Sequence, residues 1–140
     1  MHTAVEKRAS ILLVEDEALI CEVTAEALAE QGFEVEAFTN AEEALRYLAS
    51  SRPIDVLFTD INLPGIDGEA LARRACELRP GLPVMYTSGR KSWIRDLQPI
   101  DGSMFIPKPY NPFELGRLLD YLIGLRPRPA LAPASQGVNS

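Results

Sequence analysis

Short apolar runs recur along this chain at intervals that leave room for a helix between most neighbouring pairs. They fall at Ile11–Val14, Val35–Phe38, Val56–Phe58, Val84–Tyr86 and Phe105–Ile106. Each is rich in Val, Ile, Leu or Phe and bounded by Gly, Pro or charged residues, as strands buried on both faces are. Strands alternating with helices predict an α/β domain with a parallel sheet. Right-handed crossovers then place helices on both faces.

The stretches between the runs carry helix ends. The first helix is expected from about Glu17 to Gln31, with Ile20, Val23 and Ala27 on one face and Gly32 as a left-handed stop. A second begins at Asn40, an N-cap that Glu43 can complete as a capping box. A third starts near Asp67 and stops before Pro80-Gly81. The last opens with Asn111-Pro112-Phe113-Glu114 and turns Leu115, Leu118, Leu119 and Leu122 inward. Between Arg90 and Met104 the signal is weakest. Trp93, Ile94 and Leu97 suit one face of a helix that Pro99 must end, so this fourth helix is expected to be short or irregular.

These elements predict one domain over residues 10–124, a flexible N-terminus over 1–9, and a Pro- and Ala-rich disordered tail over 125–140 that is too short for an output domain. A chain of 140 residues, 46% hydrophobic, has enough apolar material for a core without disulfide or metal staples. Cys21 and Cys76 are read as small apolar residues in a reducing compartment. The net charge of −6 argues against a nucleic-acid surface. No apolar run approaches the roughly 18 residues that span a bilayer, and residues 1–10 hold no signal-peptide core. A cytoplasmic protein is expected.

Polar residues follow the strands. Glu15-Asp16-Glu17 comes after the first, Asp60 after the third, Thr87-Ser88-Gly89 after the fourth and Pro107-Lys108-Pro109 after the fifth. In an open parallel sheet, ligands bind at the carboxyl ends of the strands where strand order reverses. A reversal between the first and third strands would gather Glu15, Asp16 and Asp60, with Ser88 and Lys108 closing the crevice. Clustered carboxylates repel one another unless a cation is present, and an oxygen-only set open to water suits Mg²⁺. A carboxylate can attack phosphorus, and phosphoryl transfer needs chiefly a divalent ion, an ammonium and hydrogen-bond donors.

The motifs LLVEDE, TDINLPGIDG, PVMYTSG and FIPKPY, in that order from about Ser10 to Gly124, resemble the receiver domain of two-component response regulators. The resemblance implies a flavodoxin-like, doubly wound five-stranded sheet of order 2-1-3-4-5. It implies that Asp60 accepts the phosphoryl group and that Asp16 binds Mg²⁺ directly, with Glu15 acting through a water and the Asn62 backbone carbonyl as a further ligand. Ser88 matches the switch hydroxyl, Lys108 the lysine that pairs with the phosphoryl oxygens before a cis Pro109, and Phe105 the aromatic residue that swings inward. Arg90 falls two residues past the hydroxyl, where side chains tune hydrolysis of the phosphoaspartate. The segment from Ser88 to Lys108 is shorter than usual for the family, and Phe105 lacks the hydroxyl of the commoner tyrosine.

The expected function is that of a stand-alone response regulator, without a turnover substrate, that signals by binding a downstream protein. It is expected to be a monomer or weak dimer that touches neither nucleic acid nor membrane. His2 is the only histidine, so the donor must be a separate sensor histidine kinase or histidine phosphotransfer protein. One alternative is a phosphorelay intermediate that passes the group on. A remote one is a Mg²⁺-dependent aspartyl-phosphate phosphatase, disfavoured because Asn62 replaces the general-acid aspartate such enzymes carry.

Overall fold

The computed structural model describes residues 9–89 and 99–125. Strands β1 (Ser10–Val14), β2 (Glu34–Phe38), β3 (Val56–Asp60), β4 (Val84–Ser88) and β5 (Met104–Pro107) form one sheet in the order β2-β1-β3-β4-β5. All four neighbouring pairs are parallel. The helices among the described residues are α1 (Ala18–Glu30), α2 (Ala41–Leu48), α3 (Gly68–Leu78) and α4 (Pro112–Gly124). The doubly wound expectation holds. The short helix expected around Trp93 lies outside the described residues, as do residues 1–8, residues 126–140 and Arg90.

Alternation along each strand divides the core in two. Leu12, Val14, Leu57, Val84 and Tyr86 face one side, where Ala41, Ala44, Leu45 and Leu48 of α2 and Leu71, Ala72 and Ala75 of α3 cover them. Ile11, Leu13, Val56, Phe58 and Met85 face the other, against Cys21 and Leu28 of α1 and Leu115, Leu119 and Leu122 of α4. β3 and β4 are buried at every residue because strands pair on both of their edges and helices cover both of their faces.

Helix ends follow the local chemistry. Asn40, Asp67 and Asn111 each accept a hydrogen bond from a first-turn amide of α2, α3 or α4. Gly32 takes φ 100° just past α1, a left-handed turn that suits glycine. Gln31 ties α1 to α4, its Nε2 donating to the Ala27 and Pro112 carbonyls at 3.1 Å each. The Arg79 guanidinium ties α3 to the end of α2 through the carbonyls of Leu48, Ser50 and Arg52.

The face that α1 buries is not the one that carries Ile20, Val23 and Ala27. Cys21, Thr24 and Leu28 are buried, whereas Val23 is 53% exposed and Ile20 and Ala27 are half-buried. The two triads share one period and differ by a single residue, about 100° of rotation. Apolar residues lie on both faces, so the period alone could not choose between them. The polar group buried by the observed choice, Thr24, finds a partner in Tyr110 at 3.1 Å.

Candidate functional site

Strand order reverses between β1 and β3, and the residues at their carboxyl ends meet there. Asp60 ends β3 and is 3% exposed. Its Oδ1 accepts from the Asn62 amide at 2.8 Å and its Oδ2 from the Lys108 ammonium at 2.7 Å. Glu15 follows β1 and is equally buried. Its backbone amide donates to the Phe38 carbonyl at 3.0 Å, extending the pairing with β2. Glu15 Oε2 accepts from the Glu17 amide at 3.1 Å. Glu15 Oε1 lies 2.6 Å from Lys108 Nζ, a close ion pair. Asp16 stands at the mouth, exposed.

Lys108 lies one residue past β5, on the sheet's edge, and reaches back across β4. Its amide donates to the Ser88 carbonyl at 3.1 Å, and its side chain passes Gly89, where a Cβ would meet Lys108 Cβ at 3.8 Å. The Lys108–Pro109 bond is cis. Burial acts to lower the lysine's pKa, but hydrogen bonding to Asp60 and then to Glu15 outweighs it and holds the ammonium well above its ordinary value. Glu15 is pushed up by burial, against the hydrogen bond from Lys108.

One oxygen each from Glu15, Asp16 and Asp60 lies within 4.8 Å of the others, the one such group found among the described residues. One ammonium serves the two buried carboxylates, and the third, Asp16, stands exposed beside them. This donor set, all oxygen and partly open to water, fits Mg²⁺.

Ser88 ends β4 and is buried, with the Asn62 Nδ2 at 3.5 Å from its Oγ, a contact at the limit of hydrogen bonding. Phe105 is half-buried on β5, in register with Tyr86 and packed against the α2/α3 side of the core. The fold thus gathers Glu15, Asp16, Asp60 and Lys108, with Asn62 and Ser88 beside them. The sequence reading assigned no role to Gly68, Thr24 or Tyr110. Gly68 occupies the first position of α3, where a Cβ would collide with the backbone of Asp60 and Ile61. A glycine opening a helix right after a good N-cap was the available signal.

The family model for the response regulator receiver domain matches residues 11–120. The chain is 32% identical over 111 residues to the transcriptional regulatory protein CreB of Escherichia coli K12, covering 78% of this chain and 48% of that protein. It is 35% identical over 121 residues to the sensor protein TorS of the same organism, covering 83% of this chain and 13% of TorS. The chain therefore spans about half, or much less, of the length of these curated relatives. The crystal structure of a response regulator receiver protein from Sinorhizobium medicae aligns with a TM-score of 0.78 at 30% identity, covering 85% of this chain and 97% of that one. Sequence and fold agree from the first strand to the last helix, and the chain belongs to the response regulator receiver domains of two-component signalling.

Proposed function

We propose that Asp60 is the phosphoryl acceptor and that the chain is a phosphorylation switch fed by a phosphohistidine donor. The observation that carries this reading is the pair of charged contacts made by one buried ammonium. Lys108 meets Asp60 at 2.7 Å and Glu15 at 2.6 Å, at the point where strand order reverses.

An Asp60 oxygen attacks the phosphorus of the phosphoimidazole. The new P–O bond forms as the P–N bond breaks, and the imidazole leaves with the bonding pair. Lys108 neutralises charge on the phosphoryl oxygens, and the Asn62 amide holds the acceptor carboxylate in place. Asp16, Asp60 and the Asn62 carbonyl would hold Mg²⁺, with Glu15 bound through a water. The ion supplies charge neutralisation for the transferred group. Ser88 hydrogen-bonds the phosphoryl group, Phe105 follows its movement by packing, and Arg90 restrains hydrolysis. No turnover substrate is needed.

The donor, a sensor histidine kinase or histidine phosphotransfer protein, docks over α1 and the turn after Lys108. Leu19 is 71% exposed there and Val23 53%. Output runs through protein contact, in keeping with the net charge of −6. Likeness to both a transcriptional regulatory protein and a sensor protein keeps a phosphorelay intermediate as the second reading.

Intact mass after incubation with acetyl phosphate, with and without Mg²⁺, tests the chemistry on wild type and Asp60→Asn. One added phosphoryl group that needs both Mg²⁺ and Asp60 is expected. A gain retained by Asp60→Asn, or no gain from either acetyl phosphate or a phosphorylated histidine kinase, would refute it.

A further inference from the structure

The ammonium that bridges Asp60 and Glu15 is carried just past an edge strand of the sheet. β5 pairs on one side only, and Lys108 lies beyond its last residue. One backbone hydrogen bond, to the Ser88 carbonyl, ties Lys108 to β4. From that edge the side chain must cross β4 to reach β3 and β1, which lie about 4.8 Å apart per strand. The next residue, Pro109, is exposed and has no amide hydrogen with which to anchor the turn.

Anchorage comes from Tyr110. Its ring meets Phe58 of β3 edge-on, with centroids 5.5 Å apart and planes at 73°. Its hydroxyl lies 3.1 Å from Thr24 Oγ1, a hydrogen bond in which either oxygen can donate. Thr24 is 4% exposed, on the inner face of α1 beside Cys21 and Leu28. A hydroxyl at such a position is unfavourable unless it is hydrogen-bonded, and Tyr110 satisfies it. The contact spans 86 residues and joins α1 to the turn that carries Lys108.

We propose that Thr24 and Tyr110 are positioning residues that hold the Lys108 backbone where its ammonium reaches both carboxylates. This rests on the phospho-acceptor reading, in which Lys108 contacts the phosphoryl group. Tyr110 fixes the turn from below through Phe58, and Thr24 fixes it laterally through α1. Without the hydroxyl pair the turn can shift along the edge of the sheet. The ammonium, at the end of a flexible four-carbon stem, then spends less time on the acceptor.

The test is the rate of phosphorylation by acetyl phosphate at saturating Mg²⁺, followed by intact mass. The variants are Tyr110→Phe, Thr24→Val and Thr24→Ser, each in wild-type and Lys108→Ala backgrounds, with a thermal melt on every one. Tyr110→Phe and Thr24→Val are expected to react about three- to tenfold more slowly, the effect of losing one partly buried hydrogen bond. Thr24→Ser keeps the hydroxyl and should react near the wild-type rate. In the Lys108→Ala background neither Tyr110→Phe nor Thr24→Val should slow the reaction further. The proposal is overturned if both single variants match wild type, or if their slowing persists undiminished without Lys108, which would mean they act through the fold at large. Should one variant not fold, the other decides. A wild type that gains no phosphoryl group defeats the phospho-acceptor reading and this inference with it, whereas a Lys108→Ala variant as fast as wild type defeats the inference alone. A slow Lys108→Ala beside unaffected Tyr110→Phe and Thr24→Val defeats only the inference.

Discussion

Replacing Gly68 by alanine puts a methyl group where the first turn of α3 presses on the end of β3. The new Cβ would lie 2.8 Å from Ile61 Cα and 2.9 Å from the Asp60 carbonyl carbon, and closer still to the Asp60 carbonyl oxygen. All three are backbone atoms, so no side-chain rotation relieves the clash. α3 must back away, and the Gly68 amide, which donates to the Ile61 carbonyl at 2.9 Å, loses its partner or stretches the bond. Overpacking of this kind costs about 1–3 kcal/mol, and the lost hydrogen bond about 1 kcal/mol more. The better helix propensity of alanine returns at most about 1 kcal/mol. A net loss of about 1–3 kcal/mol corresponds to a fall in Tm of about 5–20 °C for a domain near 100 residues. Because the strained atoms belong to Asp60 and its neighbour, phosphorylation should also slow at temperatures where the variant remains folded. Thermal melts and an acetyl phosphate time course measure both effects. Gly124→Ala, at a position with nothing within 4 Å, serves as a control and should be neutral or slightly stabilising. A Gly68→Ala variant melting within about 2 °C of wild type and phosphorylated at the same rate would refute the reasoning.

Asn111 accepts hydrogen bonds from the Phe113 and Glu114 amides at 2.8 and 3.2 Å. Asn111→Ala should therefore destabilise the domain by about 0.5–2 kcal/mol in urea titrations, and an unchanged midpoint would show that this cap contributes nothing. Tyr86 is fully buried, and burial raises its pKa above the usual 10.0 while the hydrogen bond from the Ile100 amide, 3.3 Å away, acts to lower it. A pKa raised in the folded state means that the stability it contributes is complete below pH 10.0 and is lost as pH climbs through the folded value. Tyr86→Phe should lose about 1 kcal/mol at neutral pH and fall less steeply in alkali; parallel melting profiles of wild type and variant between neutral pH and alkali would count against the buried phenol as a contributor.

Much of the fold was legible in the chain because its signals are local. Short apolar runs, N-caps at Asn40, Asp67 and Asn111, and the glycine after α1 each report the conformation of a few neighbouring residues, and each element formed where its signal lay. The candidate site was legible for a related reason. Residues that close successive strands must emerge at one end of a parallel sheet, so Glu15, Asp16, Asp60 and Lys108 could be gathered before any distance was known. Periodicity could not tell which of two equivalent stripes α1 would bury. Ile20-Val23-Ala27 and Cys21-Thr24-Leu28 have the same spacing, and the buried stripe is the one whose Thr24 meets a tyrosine 86 residues away.

The sequence by itself determined the kinds of element, their order and the chemical set at the strand ends, since these depend on residue type and spacing along one chain. Only the tertiary structure decided how the charges divide among partners. One ammonium bridges Glu15 and Asp60 while Asp16 remains at the surface, and this turns on how far a side chain from the edge strand reaches across β4. The same holds for Gly68, whose missing side chain matters only because another strand's backbone lies against it, and for Thr24 and Tyr110, whose pairing no local pattern encodes. Contacts between residues distant in sequence depend on the simultaneous placement of several elements, and that placement exists only once the whole sheet has closed around its two cores.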